Sequence, residues 1–321
     1  MKTTYTKIKI FALLAVSLFI SSAYTSETEA KDELEGTISI SGAFAMYPIA
    51  VKWGQEFKKL HPNVKFDISA GGAGKGISDA LGGLVDLGAV SRDIYPEEKK
   101  KGAYAIAVTK DAVVPTINAQ NPNIEQLLSK GIKKDVLTNI FINGNVKTWK
   151  QAGYTVGAPI NVYTRSDASG AAEVWAKYLG NKKQEELKGI GVYGDPGLLQ
   201  AVKRDKTAIG FNNIGYAYDA HTGKQLAGIK VLPIDKNGNG KIDADENFYE
   251  DLSSLRAAIA NGKYPSPPAR DLLFVTKGKP QRKEVQAFLK WVLTDGQKYV
   301  AEVGYIQLSQ ERINAEIQKL P

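Results

Sequence analysis

TISISGAFAMYPIAVKWGQEFKKLHPNVKFDISAGGAGKGISDALGGLVDLGAVS, Thr37 to Ser91, carries the pattern that decides the fold. TISIS, VKFDIS and VDLGAVS are short runs of strand character, and the first two break at glycine before segments of helical character. In AMYPIAVKWGQEFKKL, Ala50, Trp53, Phe57 and Leu60 recur at helical spacing, which predicts one buried stripe. Toward the C-terminus the alternation continues: YAIAV, PINVYT, TAIGF, IKVLPI and LLFVT read as strands, with helices such as AAEVWAKYL and KEVQAFLKWVLTDGQKYV between them. This order predicts an α/β chain with largely parallel sheets. No internal repeat and no low-complexity linker is present, so two lobes would have to arise from the chain crossing over and returning.

The 321 residues are 43% hydrophobic and 24% charged, enough for one or two lobes with real cores. Ahead of the fold, MKTTYTKIKI carries Lys2, Lys7 and Lys9 and no acid, FALLAVSLFI is apolar, and SSA ends at Ala23 with small residues. That is the pattern of a secretory signal peptide over 1–23, with a disordered stretch over 24–35. A membrane anchor is the competing reading, but the apolar run falls short of the ~20 residues a span needs. The absence of cysteine excludes disulfides, thiolate nucleophiles, zinc thiolates and a lipidated N-terminal cysteine. An exported chain without a lipid anchor fits a periplasm. The net charge of +8 includes the three signal lysines, and the other cations are interspersed with acids. No basic stripe interleaves with aromatics, which points to a solvated surface and away from nucleic acid.

In an open α/β sheet, ligands sit at the carboxyl ends of strands, where free N–H groups and the helix dipole favour anions. Three junctions have that character: SISGAFAMYP around Ala43 and Phe44, DISAGGAGKGISDAL around Ala73 and Gly74, and VYTRSDASGAAEVW around Arg165 and Ser169. Turn chemistry alone would also explain such glycines. A nucleotide P-loop does not fit GAGKG, because Ser69 and Gly76 stand where that motif needs a glycine and a Ser or Thr. Arg165 with Ser169 is the most specific pair: a guanidinium can hold two oxyanion oxygens, and a hydroxyl at a helix start adds a donor. Asp167 could hold that guanidinium in place; a surface ion pair plus a helix cap is the other reading.

Taken together and in order, SGAFAMYPIAVKWGQEF, SAGGAGKGISDALGGLVDLGAVSR, TRSDASGAAEVW, KTAIGFNNIGYAY and FLKWVLTDGQKYVAEVGYIQL resemble the phosphate-binding proteins of bacterial ABC phosphate importers. The resemblance runs from about Gly36 to the C-terminus. It implies a two-lobed periplasmic binding protein fold of type II, with the ligand in the cleft between lobes. Lobe one is expected over 36–110 and 270–321, and lobe two over 111–269. Arg165, Asp167, Ser169 and Gly170 match the family's RxDxSG pattern. The chain departs where the family usually carries hydroxyls, at Ala43-Phe44, Ala73 and Ala171, and Arg92 stands where some members place an aspartate that accepts phosphate's hydrogen. The amides of Phe44, Gly74 and Ala171 survive those changes. An oxyanion pocket is thus better supported than phosphate itself.

DKNGNGKIDADE, Asp235 to Glu246, matches a calcium-binding loop: Asp235, Asn237 and Asn239 at positions 1, 3 and 5, the Lys241 carbonyl at 7, Asp243 at 9 and Glu246 at 12. A polar glycine-rich hairpin is the competing reading. IKVLPI before it is strand-like, NFYEDLSSLRAAIANG after it is helical, and there is no second loop, so a structural Ca2+ is expected and a sensor is not. Catalysis finds little footing: His61 and His221 pair with no nucleophile motif, and G-x-S-x-G is absent. The expectation is a non-enzymatic, monomeric solute-binding protein that hands inorganic phosphate or a related oxyanion to ABC permease subunits. The alternative is a calcium-dependent interaction protein that kept the fold without phosphate transport.

Overall fold

The computed structural model describes residues 34–321. The signal-peptide reading over 1–23, and most of the stretch expected to be disordered, lie outside those residues. The strands are β1 (Gly36–Gly42), β2 (Val64–Ala70), β3 (Leu87–Val90), β4 (Ala103–Asn118), β5 (Ile132–Lys133), β6 (Asn161–Arg165), β7 (Ile190–Val192), β8 (Ala208–Asn213), β9 (Ile229–Val231), β10 (Ile234–Asp235) and β11 (Ala269–Lys277). One mixed sheet runs β2-β1-β3-β11-β4-β8-β6-β7, with β9 also on β4, while β10 and β5 pair separately.

The expectation of largely parallel pairing holds on the flanks of the large sheet and in the separate β10–β5 pair, but not in the middle. β1 pairs in parallel with β2 and β3, and β6 with β7 and β8. The middle is antiparallel: β11 against β3 and β4, and β4 against β8 and β9. The cause is the path of the chain, since β4 leaves the first half of the fold and β11 returns to it. β4 pairs with β11 through Ala112 and with β8 from Val113 onward.

Two hydrophobic cores flank that crossing. The first gathers Ile38, Trp53, Phe57, Ile106, Val108, Leu272, Phe274 and Phe288. The second gathers Val113, Val114, Phe141, Trp149, Trp175, Phe211, Ile234 and Leu255. Aromatic rings interlock within each, as in the edge-to-face pair Phe57–Phe288 and the stacked pair Trp175–Phe211.

Helix Tyr47–Leu60 buries Ala50, Trp53 and Phe57 as its spacing predicts. Leu60 is 59% exposed, because the last turn runs past the core. The long C-terminal helix expected over 283–300 breaks at Thr294 into Lys283–Leu293 and Lys298–Glu302. Within the break, the Gly296 carbonyl accepts the buried Trp53 indole N–H at 2.8 Å.

Candidate functional site

β1 ends at Gly42, whose φ of 134° favours glycine. Its carbonyl accepts the amides of Gly71 and Gly72 at 2.8 and 3.0 Å, tying the first two anion-loop candidates together. The Ala43 amide donates to the Ala89 carbonyl at 2.8 Å. Ala43 and Ala73 are buried in the first core, and Ala171 is buried in the second. The alanines that replace expected hydroxyls are therefore core side chains; the Ala43 amide is already bonded to Ala89, and Ala73 and Ala171 can offer a ligand only their backbone.

The third loop leaves β6 at Arg165, whose side chain is 1% exposed. Asp167 accepts its Nε and Nη2 at 2.8 and 2.7 Å. Asp195, at the start of helix Gly194–Arg204, accepts its Nη1 at 2.6 Å. The Phe44 ring lies over the guanidinium at 5.4 Å. Ser169 caps helix Gly170–Gly180 by accepting the Ala172 amide at 3.3 Å. Arg165, Asp167, Ser169 and Gly170 thus form one continuous turn at a helix N-terminus.

This turn meets the glycine loop of the other half directly. The Gly74 amide donates to the Ala168 carbonyl at 3.0 Å. A Cβ at Gly72 would lie 2.7 Å from Asp167 Oδ2, and one at Gly170 would lie 2.6 Å from the Ser91 carbonyl oxygen. Only glycine permits either approach. Arg92 takes no part in this meeting. Glu98 accepts its Nη1 and Nη2 at 2.9 and 2.7 Å, the Asp93 carbonyl accepts Nη1 at 2.8 Å, and Tyr95 stacks beneath it. Ser91, one residue earlier, is what the strand end presents to the third loop.

Behind Arg165 runs a buried polar chain. Asp195 Oδ1 accepts Asn213 Nδ2 at 2.6 Å, and Asn213 Oδ1 accepts Arg270 Nη2. Arg270 Nη2 also faces Asp111 Oδ2 at 3.3 Å, and the two residues are register partners on β11 and β4. Burial pushes the Asp111 carboxyl up to about 7, against the opposing pull of Arg270. None of Asp111, Asp195, Asn213 or Arg270 was singled out from the sequence. The one readable sign was an acid inside the apolar run YAIAVTKDAVVPTI.

The sequence profile described as the PBP superfamily domain matches residues 26–296. The chain belongs to the PBP superfamily. It is 26% identical over 319 residues to Protein SphX of Synechococcus elongatus, covering 96% of this chain and 87% of that protein. It is 28% identical over 328 residues to the phosphate-binding protein PstS of Methanocaldococcus jannaschii, covering 85% and 83%. Among solved structures, it superposes with TM-score 0.69 at 24% identity on a substrate-binding protein from Clostridium perfringens with bound phosphate, covering 85% of this chain and 100% of that one. An ABC-type phosphate transport receptor from Vibrio cholerae superposes at 0.63 and 20% identity, covering 84% and 100%. The two-lobed α/β architecture of this PBP-superfamily chain is shared with these proteins.

In the loop 235–246, Asp235 accepts the amides of Gly238 and Gly240 at 2.7 and 2.9 Å. Glu246 accepts those of Lys236, Asn237 and Asp243 at 2.8, 3.2 and 3.3 Å. Asp243 accepts Nδ2 of Asn237 and of Asn239 at 2.9 and 2.6 Å, and pairs with Lys241 at 2.9 Å. Among the described residues, no group of three or more His, Cys, Asp or Glu is gathered closely enough to hold a metal ion. The donor set is of the all-oxygen kind calcium takes, but its carboxylates face N–H donors and do not converge. The strand expected before the loop is present as β9 and β10. The helix after it begins only at Leu252, capped by Asp251.

Proposed function

We propose that this PBP-superfamily chain is an exported solute-binding protein that captures phosphate, or a similar tetrahedral oxyanion, and delivers it to an ABC importer. One observation carries the reading. The Arg165–Gly170 turn, with its buried guanidinium and helix N-terminus, meets the Gly71–Gly76 loop and Ser91 of the opposite half. Such a junction offers backbone N–H groups at a helix start, a hydroxyl and exclusion of water, beside an Arg165 guanidinium that Asp167 and Asp195 hold fixed. The names carried by its relatives over most of the chain's length support the same ligand class.

No bond is made or broken in this role. The halves, divided at 36–110 with 270–321 against 111–269, act as the jaws of a cleft, and fixed donors replace the anion's water. Among the described residues, no helix is long and apolar enough to cross a membrane. A periplasmic, monomeric carrier that docks on permease subunits is the form this role takes, and the N-terminal sequence supports export. A structural Ca2+ in the 235–246 loop is proposed on its sequence pattern alone. Nothing specifically favours the calcium-dependent interaction alternative.

Calorimetric titration of phosphate, sulfate, arsenate and molybdate tests the reading. Phosphate or arsenate should bind, and Arg165→Ala should abolish binding. Heat from none of the four anions would overturn it.

A further inference from the structure

The buried cluster behind the candidate site holds three carboxylates, Asp111, Asp167 and Asp195, against two guanidinium groups, Arg165 and Arg270. All five side chains are at most 6% exposed. Its formal charge is therefore −1 before any anion arrives. Adding an oxyanion to a poorly solvated cluster that is already negative is costly unless a charge elsewhere is neutralised.

The three carboxylates are not equally able to take that neutralising proton. Asp167 accepts two guanidinium N–H groups of Arg165 and the Gly194 amide at 3.0 Å. Asp195 accepts Arg165 Nη1 and the Asn213 side-chain amide, each at 2.6 Å. Asp111 has one long side-chain contact, to Arg270 at 3.3 Å, and its Oδ1 is buried with no hydrogen-bond partner. Arg270 is likewise incompletely met, since its Nε and Nη1 are buried without partners.

The groups around Asp111 leave the same residue as the acceptor. On β11 it faces Arg270, from the helix Gly194–Arg204 it feels Asp195, and the Ala112 and Ile214 amides point toward it. Tyr216, Tyr264 and Tyr305 also feel its charge, but their hydroxyls donate to the carbonyls of Phe44, Val113 and Ala45. Burial already holds the Asp111 carboxyl up at about 7.

Building on the anion-binding reading above, we propose that the oxyanion enters together with a proton, which Asp111 takes up. The step balances simply: one H+ from solvent bonds to an Asp111 carboxylate oxygen, and no other bond changes. The cluster then reads 0 in place of −1 before the anion is counted. The Arg270 charge is freed to act along the Asn213–Asp195–Arg165 chain, and the protonated oxygen becomes a donor.

The test is titration of inorganic phosphate near pH 7 in buffers of different ionisation enthalpy, where the slope of heat against buffer enthalpy counts protons. Phosphate's own proton contributes to that slope, so wild type is compared with Asp111→Asn. The wild type should take up about half a proton more per anion, as expected for a group titrating near the working pH. Equal slopes in two proteins that both bind would overturn the proposal. Absence of heat in every buffer would instead sink the anion reading itself. Should Asp111→Asn not fold, infrared difference spectra of wild type on adding phosphate decide the matter. A new protonated-carboxyl band supports uptake, and its absence overturns it.

Discussion

Arg165 Nη1 and Asp195 Oδ2 stand 2.6 Å apart, each side chain 1% exposed. With Asp167 on the opposite edge, the guanidinium is held by two carboxylates and cannot swing. Truncating one partner of a buried pair leaves an uncompensated charge and costs about 3–5 kcal/mol. Asp195→Ala is therefore expected to destabilise the fold by that order, read by denaturant unfolding. It should also weaken phosphate, because Arg165 loses one of its two anchors. Unchanged stability and affinity would show that Asp167 alone sets the guanidinium.

Gly170 packs so that an added Cβ would meet the Ser91 carbonyl oxygen at 2.6 Å. Gly170 is a helix residue with no positive φ, so alanine suits its backbone. Gly170→Ala should fold normally yet hold the halves apart. Phosphate affinity should fall about tenfold or more, since each 1.4 kcal/mol of lost closing energy is a factor of ten. Small-angle scattering with phosphate present should report a larger radius of gyration than wild type; identical profiles and affinity would refute this.

Arg92 and Arg165 separate two anion-site readings that look alike in sequence. Arg92 is spent on Glu98, at 2.7 Å, and on the Tyr95 ring. Arg92→Ala should leave phosphate affinity within about threefold of wild type while Arg165→Ala abolishes it, a contrast well above the ~0.5 kcal/mol scatter of remote substitutions. Calorimetry on both variants reads the difference directly.

These residues also show what was legible in the sequence. Arg165, Asp167 and Ser169 lie within five positions, and such local pairs announce themselves. Asp195, Asn213, Arg270 and Asp111 join across separations of 30, 18, 57 and 159 residues. No local pattern encodes those contacts. Likewise, apolar spacing reported that Trp53 and Phe57 are buried, since burial is a property of one helix face. The antiparallel pairing of β4 and β11 depends on which way the returning chain runs, and periodicity carries no direction.

Asp111 sets an unusual dependence of stability on pH. Its ordinary value is near 4 and burial raises it to about 7, so between those limits the native state binds the proton that the unfolded chain releases. Stability from this group is fully present at low pH and is lost as pH rises from about 4 to about 7. The full span is on the order of 4 kcal/mol. Asp111→Asn should flatten that portion of the unfolding profile and be relatively more stable than wild type at pH 8. Parallel profiles for the two proteins would contradict the burial argument.

Asp235 and Glu246 are 3% and 2% exposed, two buried carboxylates of one loop held by backbone amides. If Ca2+ occupies the loop, it replaces those N–H donors as the main compensation for three negative charges and must stabilise the folded form by mass action. Added Ca2+ should then raise the melting temperature of wild type by several degrees over a chelated sample. Glu246→Gln, which removes the charge of the ligand at position 12, should erase that difference whatever its own melting temperature. Phosphate affinity should be the same with and without the ion, because the loop packs on Ser129 and Gly131, remote in sequence from the Arg165 turn. A wild-type melting temperature indifferent to Ca2+ would leave DKNGNGKIDADE as a hydrogen-bonded hairpin closed by Asp235, Asp243 and Glu246.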